Sequence, residues 1–132
     1  MDITQYTGYF HDGSLLNIEH EKNNVVFTMV SAEMDQEDIL DDAVLSKDDR
    51  IRGKLHLEGV KSITVSKNPF LDVLKKTYDN GRIFDFEINK NFVELCIDWI
   101  NYPPKPRTNE FEVIRIEAMK IYWENIPDLS VY

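Results

Sequence analysis

The sequence predicts an α+β fold of mostly antiparallel β-structure, a curved meander or sandwich-like sheet with one short helix over about residues 69–79. Three observations lead there. Apolar and polar residues alternate in several short runs, Asn- and Gly-containing reversals separate those runs, and one Asn-Pro pair opens a stretch with helical spacing. With 132 residues, 42% of them hydrophobic, the chain suits a single domain around one core.

Taken in order, Tyr9-Phe10-His11-Asp12-Gly13 sets an aromatic pair before a polar turn. An Asp side chain bonds nearby backbone amides and Gly reaches positive φ, so His11, Asp12 and Gly13 are expected to form a structural turn. Leu16, Ile18 and His20 then fall on one face of a strand, opposite Asn17, Glu19 and Glu21. Lys22-Asn23-Asn24 turns the chain into Val25–Val30, giving an antiparallel hairpin. From Glu33 to Asp49 the acids Glu33, Asp35, Glu37, Asp38, Asp41, Asp42, Asp48 and Asp49 meet Lys47 alone, as in a solvated loop or short helix. That run lacks the sixth-position glycine and twelfth-position glutamate of an EF-hand, so a plain exposed connection is the expectation.

Leu55 and Leu57 oppose Lys54, His56 and Glu58; Gly59 then breaks the alternation as at a bulge, and Ile63 and Val65 restore it. A bent strand or a tight pair is expected there. Asn68 as N-cap and Pro69 at the first helical position begin the short helix, with Phe70, Leu71, Val73, Leu74 and Tyr78 at helical spacing and Asn80-Gly81 as the stop. The helix would close one end of the sheet or cover one face. Phe84, Phe86 and Ile88 alternate with Asp85 and Glu87, and Asn89-Lys90-Asn91 reverses the chain into Phe92–Ile100. In that second arm Val93, Leu95, Ile97 and Trp99 share an apolar face and Glu94, Cys96 and Asp98 the mixed one. Three prolines make Tyr102–Arg107 a surface loop. Phe111–Trp123 reads as a strand with a bulge near Ala118, since a helix would scatter Ile114, Ile116 and Ile121.

Against 24 acidic residues stand 15 basic ones, a formal net charge of −9. Such a charge repels nucleic acid and anionic lipid and favours a basic protein partner. Cys96, the sole cysteine, allows no intrachain disulfide and fits a reducing compartment. The start Met1–Gln5 lacks a basic-then-apolar leader, and no apolar run approaches the ~20 residues that span a bilayer. A cytoplasmic protein without membrane contact is expected.

The residues offer little chemistry. His11-Asp12 invites comparison with metal phosphohydrolases, but further His and Asp ligands on a helical bundle are missing, and adjacent side chains of an extended chain diverge. His20 and His56 stand at no ligand spacing, and Cys96 sits in a hydrophobic strand where a thiol is usually structural. There is no GxSxG, phosphate loop or dinucleotide fingerprint. No catalytic residue, metal ligand or cofactor is assigned. Tyr6, Tyr9, Phe10, Trp99, Tyr102, Trp123 and Tyr132 read first as core and rim, with an interaction surface beside the acidic loop as the alternative.

Several stretches together carry a resemblance. They are Phe10-His11-Asp12-Gly13 with Leu15 and Ile18, Gly53–Val60 with Ile63, Ile83-Phe84-Asp85-Phe86 with Val93-Glu94-Leu95, and Ile116-Glu117-Ala118 with Trp123-Glu124. In this order the chain resembles a group of small, mostly uncharacterised bacterial proteins with a Phe-His-Asp-Gly/Ala turn, which includes immunity proteins of polymorphic toxin systems. Related sequences often carry alanine where this one has Gly13. The resemblance implies an antiparallel β fold with a small helical part, no catalytic residues and a binding function. On that footing Asp35, Glu37, Asp38, Asp41 and Asp42 would steer the protein to a basic toxin, while Tyr9, Trp99 or Tyr102 would anchor it where exposed. Two alternatives stay open: a metal-dependent or other small hydrolase using His11 and Asp12, and a structural module that forms a homodimer.

Overall fold

The computed structural model describes residues 1–106 and 110–130, so Arg107 of the proline loop and Tyr132 lie outside the described residues. Seven strands follow in chain order: β1 (Ser14–Glu21), β2 (Asn24–Val30), β3 (Arg52–Val65), β4 (Asn68–Pro69), β5 (Asn80–Ile88), β6 (Phe92–Ile100) and β7 (Glu110–Asn125). The sheet order is β2-β1-β5-β6-β7-β3-β4, and β2 also pairs with β3. All pairings are antiparallel, and the β2–β3 ladder closes six strands into a barrel with β4 outside the ring. The expected antiparallel architecture is present, as a closed six-stranded barrel in place of the curved meander or sandwich-like sheet.

The hairpins fall where the turn residues put them. Lys22 (φ 56°) and Asn23 link β1 to β2, with Glu21 opposite Asn24. At the β5–β6 reversal the Asn89 carboxamide accepts from the amides of Asn91 and Phe92, both at 2.9 Å. One bent strand covers residues 52–65, with Gly59 at φ 65°. β7 is the expected strand, but the bulge facing Ala118 is carried by β3, where Lys61 is the extra residue between Val60 and Ser62.

The expected helix over 69–79 is absent; the described chain contains only short 3-10 turns, at Ile3–Gln5, Thr7–Phe10 and Gln36–Asp38. Ser66 and Lys67, both at positive φ (50° and 71°), form a two-residue hairpin turn, and Asn68 pairs with Val65 rather than capping a helix. The following segment, 70–79, is an irregular strap. Its amides bond outward to the barrel: Phe70 to the Ile63 carbonyl (2.9 Å), Leu74 to His20 Nδ1 (2.9 Å) and Asp79 to Asn101 Oδ1 (3.1 Å). Leu74 is buried and Phe70 and Tyr78 pack on the core, so the strap still covers the sheet as expected of the helix.

The interior is filled by β-strand side chains plus an N-terminal plug. Val93, Leu95, Ile97 and Trp99 of β6 all point inward, as their alternation predicts. Ile3, Tyr6 and Phe10 enter the same core, Phe10 meeting Phe86 and Trp123 edge-on at 5.2 and 5.7 Å. Two bulges redirect faces that strict alternation misplaces. In β1 Leu16 is the extra residue, so Leu15 and Ile18 are buried and Leu16 is exposed. In β5 Phe84 is extra, so Ile83 and Phe86 point inward while Phe84 stands outside.

Candidate functional site

The His-Asp-Gly segment is a turn that clamps the N-terminal plug to β5. Positive φ falls on Asp12 (67°), not on Gly13 as expected. The Asp12 amide donates to the Ile83 carbonyl, the Gly13 amide to that of Phe10, and the Ile83 amide to that of Gly13, at 2.8–2.9 Å. Gly13 is required by space: a Cβ there would collide with the Val30 carbonyl. His11 Nδ1 meets the Phe84 carbonyl at 2.6 Å, which fixes the proton on that nitrogen, and Asp12 pairs with Arg82 at 3.3 Å.

The three histidines serve three separate places. His20 accepts from the strap, while His56 stacks on Tyr122 at 4.7 Å and holds Glu124 at 2.8 Å through Nε2. Among the described residues no group of three or more His, Cys, Asp or Glu could hold a metal ion. His11 and Asp12 do not converge with His20.

Of the residues expected to contact a partner, the structure gathers some and separates others. Loop 31–51 carries the acids between β2 and β3. Met34 and Leu45 bury into the core, Tyr6 Oη accepts from the Leu40 amide (2.8 Å), and Arg50 ties Glu33 (3.8 Å), Asp48 (3.3 Å) and the Ser31 carbonyl (2.9 Å). Asp35, Glu37, Asp38, Asp41 and Asp42 are exposed on this anchored frame. Asp41 lies 3.9 Å from the Met1 amine; the other four have no cation within 4 Å among the described residues. Leu40 (75% exposed) and Val44 stand among them. Tyr9 is half-buried at the loop's base, its carbonyl accepting from the Ala32 amide. Trp99 is 2% exposed and anchors nothing outside; the face it shares with Val93, Leu95 and Ile97 is the barrel interior. Tyr102 is exposed on the β6–β7 connection, its amide held by Asp79 at 2.8 Å.

Where the strap meets β6 and β7, Tyr78 stacks on Trp99 (5.3 Å) and donates to Glu110 at 2.6 Å. The bond to that carboxylate, aided by desolvation, pushes the Tyr78 hydroxyl up to about 12. The Trp99 indole N–H has no partner among the described residues. A cavity of about 430 Å³ gathers Lys47, Arg50 and Arg52 with Asp48 and Asp128. Arg50 and Asp48 pair there at 3.3 Å, and Ser46 Oγ accepts from the Asp128 amide at 2.8 Å.

Periodicity missed an aromatic cluster on the outer face of β5–β7. Phe84 (47% exposed) and Phe111 (52%) reach across β6 to meet edge-on at 5.8 Å, and His11 meets Phe84 at 5.4 Å. Cys96 and Asp98 point out between them, in register with Val113 and Phe111. Partial burial first, then Asp85, Glu94 and Asp98, hold the Cys96 thiol above its usual range. Only the β5 bulge puts Phe84 outside, and a bulge is set by the partner strand, so local alternation carries no signal for it. Compared with protein-family models, curated proteins and solved structures, the chain matches none.

Proposed function

We propose that this protein is a binding module that takes a basic protein partner through its β2–β3 loop. The observation that carries this reading is the loop itself: Asp35, Glu37, Asp38 and Asp42 stand exposed with no cation within 4 Å among the described residues, around an exposed Leu40, on a frame pinned by Met34, Leu45 and Tyr6. Fixed, unneutralised carboxylates steer a cationic surface, and an apolar residue among them supplies short-range contact. The finer form of the proposal is a cytoplasmic, immunity-type inhibitor of a basic bacterial toxin, supported by the Phe-His-Asp-Gly resemblance and the net charge of −9. A hydrolase at His11 and Asp12 finds less support, because both side chains are engaged in the turn that holds β5.

The test is capture of partners from the native host's lysate and of any protein encoded immediately upstream, at low and high salt. The control replaces Asp35, Asp38 and Asp42 with Asn and Glu37 with Gln. Retention of a basic protein by the wild type, lost in the control and weakened by salt, supports the reading. Equal capture by both proteins, or none by either, overturns it.

A further inference from the structure

We propose that the outer face of β5–β7, centred on Phe84 and Phe111, is a second docking surface that receives arginine side chains of a basic protein segment; this rests on the reading of a basic partner. The Phe84–Phe111 pair is an exposed apolar contact on the outside of a closed barrel, and it fills no part of the core. Exposed aromatic pairs of this kind are the anchors that binding interfaces favour.

Charge decides the occupant. Asp12 of the adjoining turn, Asp85 of β5 and Asp98 of β6 lie beside the rings, and Glu87, Glu94 and Glu117 continue the acidic face along β5–β7, where Arg82 and Arg115 are the arginines among the described residues. Arg82 already answers Asp12 and Asp98, at 3.3 and 3.8 Å, and Arg115 answers Glu94 at 3.2 Å, so the surplus is negative. A second copy of this chain would bring like charge to like charge, whereas a guanidinium finds carboxylates and ring faces together. The same face already holds one such contact: the Arg115 guanidinium lies 3.9 Å from the Phe92 ring centre while pairing with Glu94. After partial burial, the carboxylates of Asp85, Glu94 and Asp98 add to the upward shift of the Cys96 thiol on this face.

Amide NMR titration of the intact protein with octa-arginine, at about 0.15 M salt, tests the proposal against octa-lysine and against Phe84→Ser/Phe111→Ser. Both rings are exposed, so the double variant should keep its cooperative unfolding. The expected result is octa-arginine-induced shifts around residues 84, 96 and 111, tighter binding of arginine than lysine, and about tenfold weaker binding in the double variant. Unchanged affinity in the double variant, with shifts confined to the β2–β3 loop, overturns this surface and leaves the basic-partner reading standing. Absence of binding by either peptide removes both. Concentration-dependent shifts on this face without peptide would assign it to a second copy and also overturn the proposal.

Discussion

Single residues hold the N-terminal plug and the strap in place, and each gives a direct test. Gly13 sits where a methyl group would strike the Val30 carbonyl, so Gly13→Ala forces the turn away from β2. It is expected to lower stability by about 1–3 kcal/mol, read from the urea unfolding midpoint. Tyr78 offers a pH signature. Its hydroxyl, bonded to Glu110, titrates near 12 in the folded protein against 10.0 for the free side chain. The folded state holds this proton more tightly than the unfolded chain. The contribution is therefore complete below about pH 10 and lost as pH rises toward 12. Tyrosinate absorbance should show a late-titrating tyrosine that Glu110→Gln moves back toward the ordinary range.

At the level of elements, the strap and the bulges show what a linear pattern does and does not carry. Leu74 is buried and Leu71, three residues earlier, is 97% exposed. Leu74→Ala is expected to cost about 2–5 kcal/mol and Leu71→Ala no more than about 0.5, compared by denaturant unfolding. Phe70, Leu74 and Tyr78, spaced four apart, give the segment a helical look, and all three do turn to the core. The conformation was illegible because His20 and Asn101, distant in sequence, take the amides of Leu74 and Asp79 that a helix would use internally. The arms of β2, β6 and β7 were legible, since inward and outward residues alternate there without interruption over most of their length. Leu16 and Phe84 were not, because one inserted residue reverses the faces and the insertion is defined only by the partner strand. That is why the sequence passes over Phe84; Trp99 enters as an anchor with the resemblance, whereas the unbroken alternation of β6 already sets it beside Val93, Leu95 and Ile97 on the apolar face.

For the molecule as a whole, closure and charge act together. The β2–β3 ladder closes the six-stranded ring, with β1 and β5 meeting over a short join, and a net charge of −9 opposes self-association. A single-chain mass is expected by analytical ultracentrifugation across the micromolar range; a stable dimer would revive the structural-module alternative. Raising salt from about 0.05 to about 0.5 M should slow association with a basic partner more than it changes dissociation, measured by stopped flow. Ring closure itself was beyond sequence reading, because it depends on β2 meeting β3 and β1 meeting β5 across long intervals of chain.

β1 and β5 share only two residue pairs, Ser14 with Arg82 and Leu15 with Gly81. The barrel is thus a clasped bracelet rather than a seamless hoop. The clasp lies beside the turn that seats His11 and Asp12, and beyond it the strap bridges to β1 at His20. Parting two pairs, freeing the His11–Gly13 turn from Ile83 and Phe84 and lifting the strap would unroll the sheet without disturbing its other ladders. Hydrogen exchange should therefore find its first cooperative opening at this join, and a partner gripping β5 from outside would hold the clasp shut.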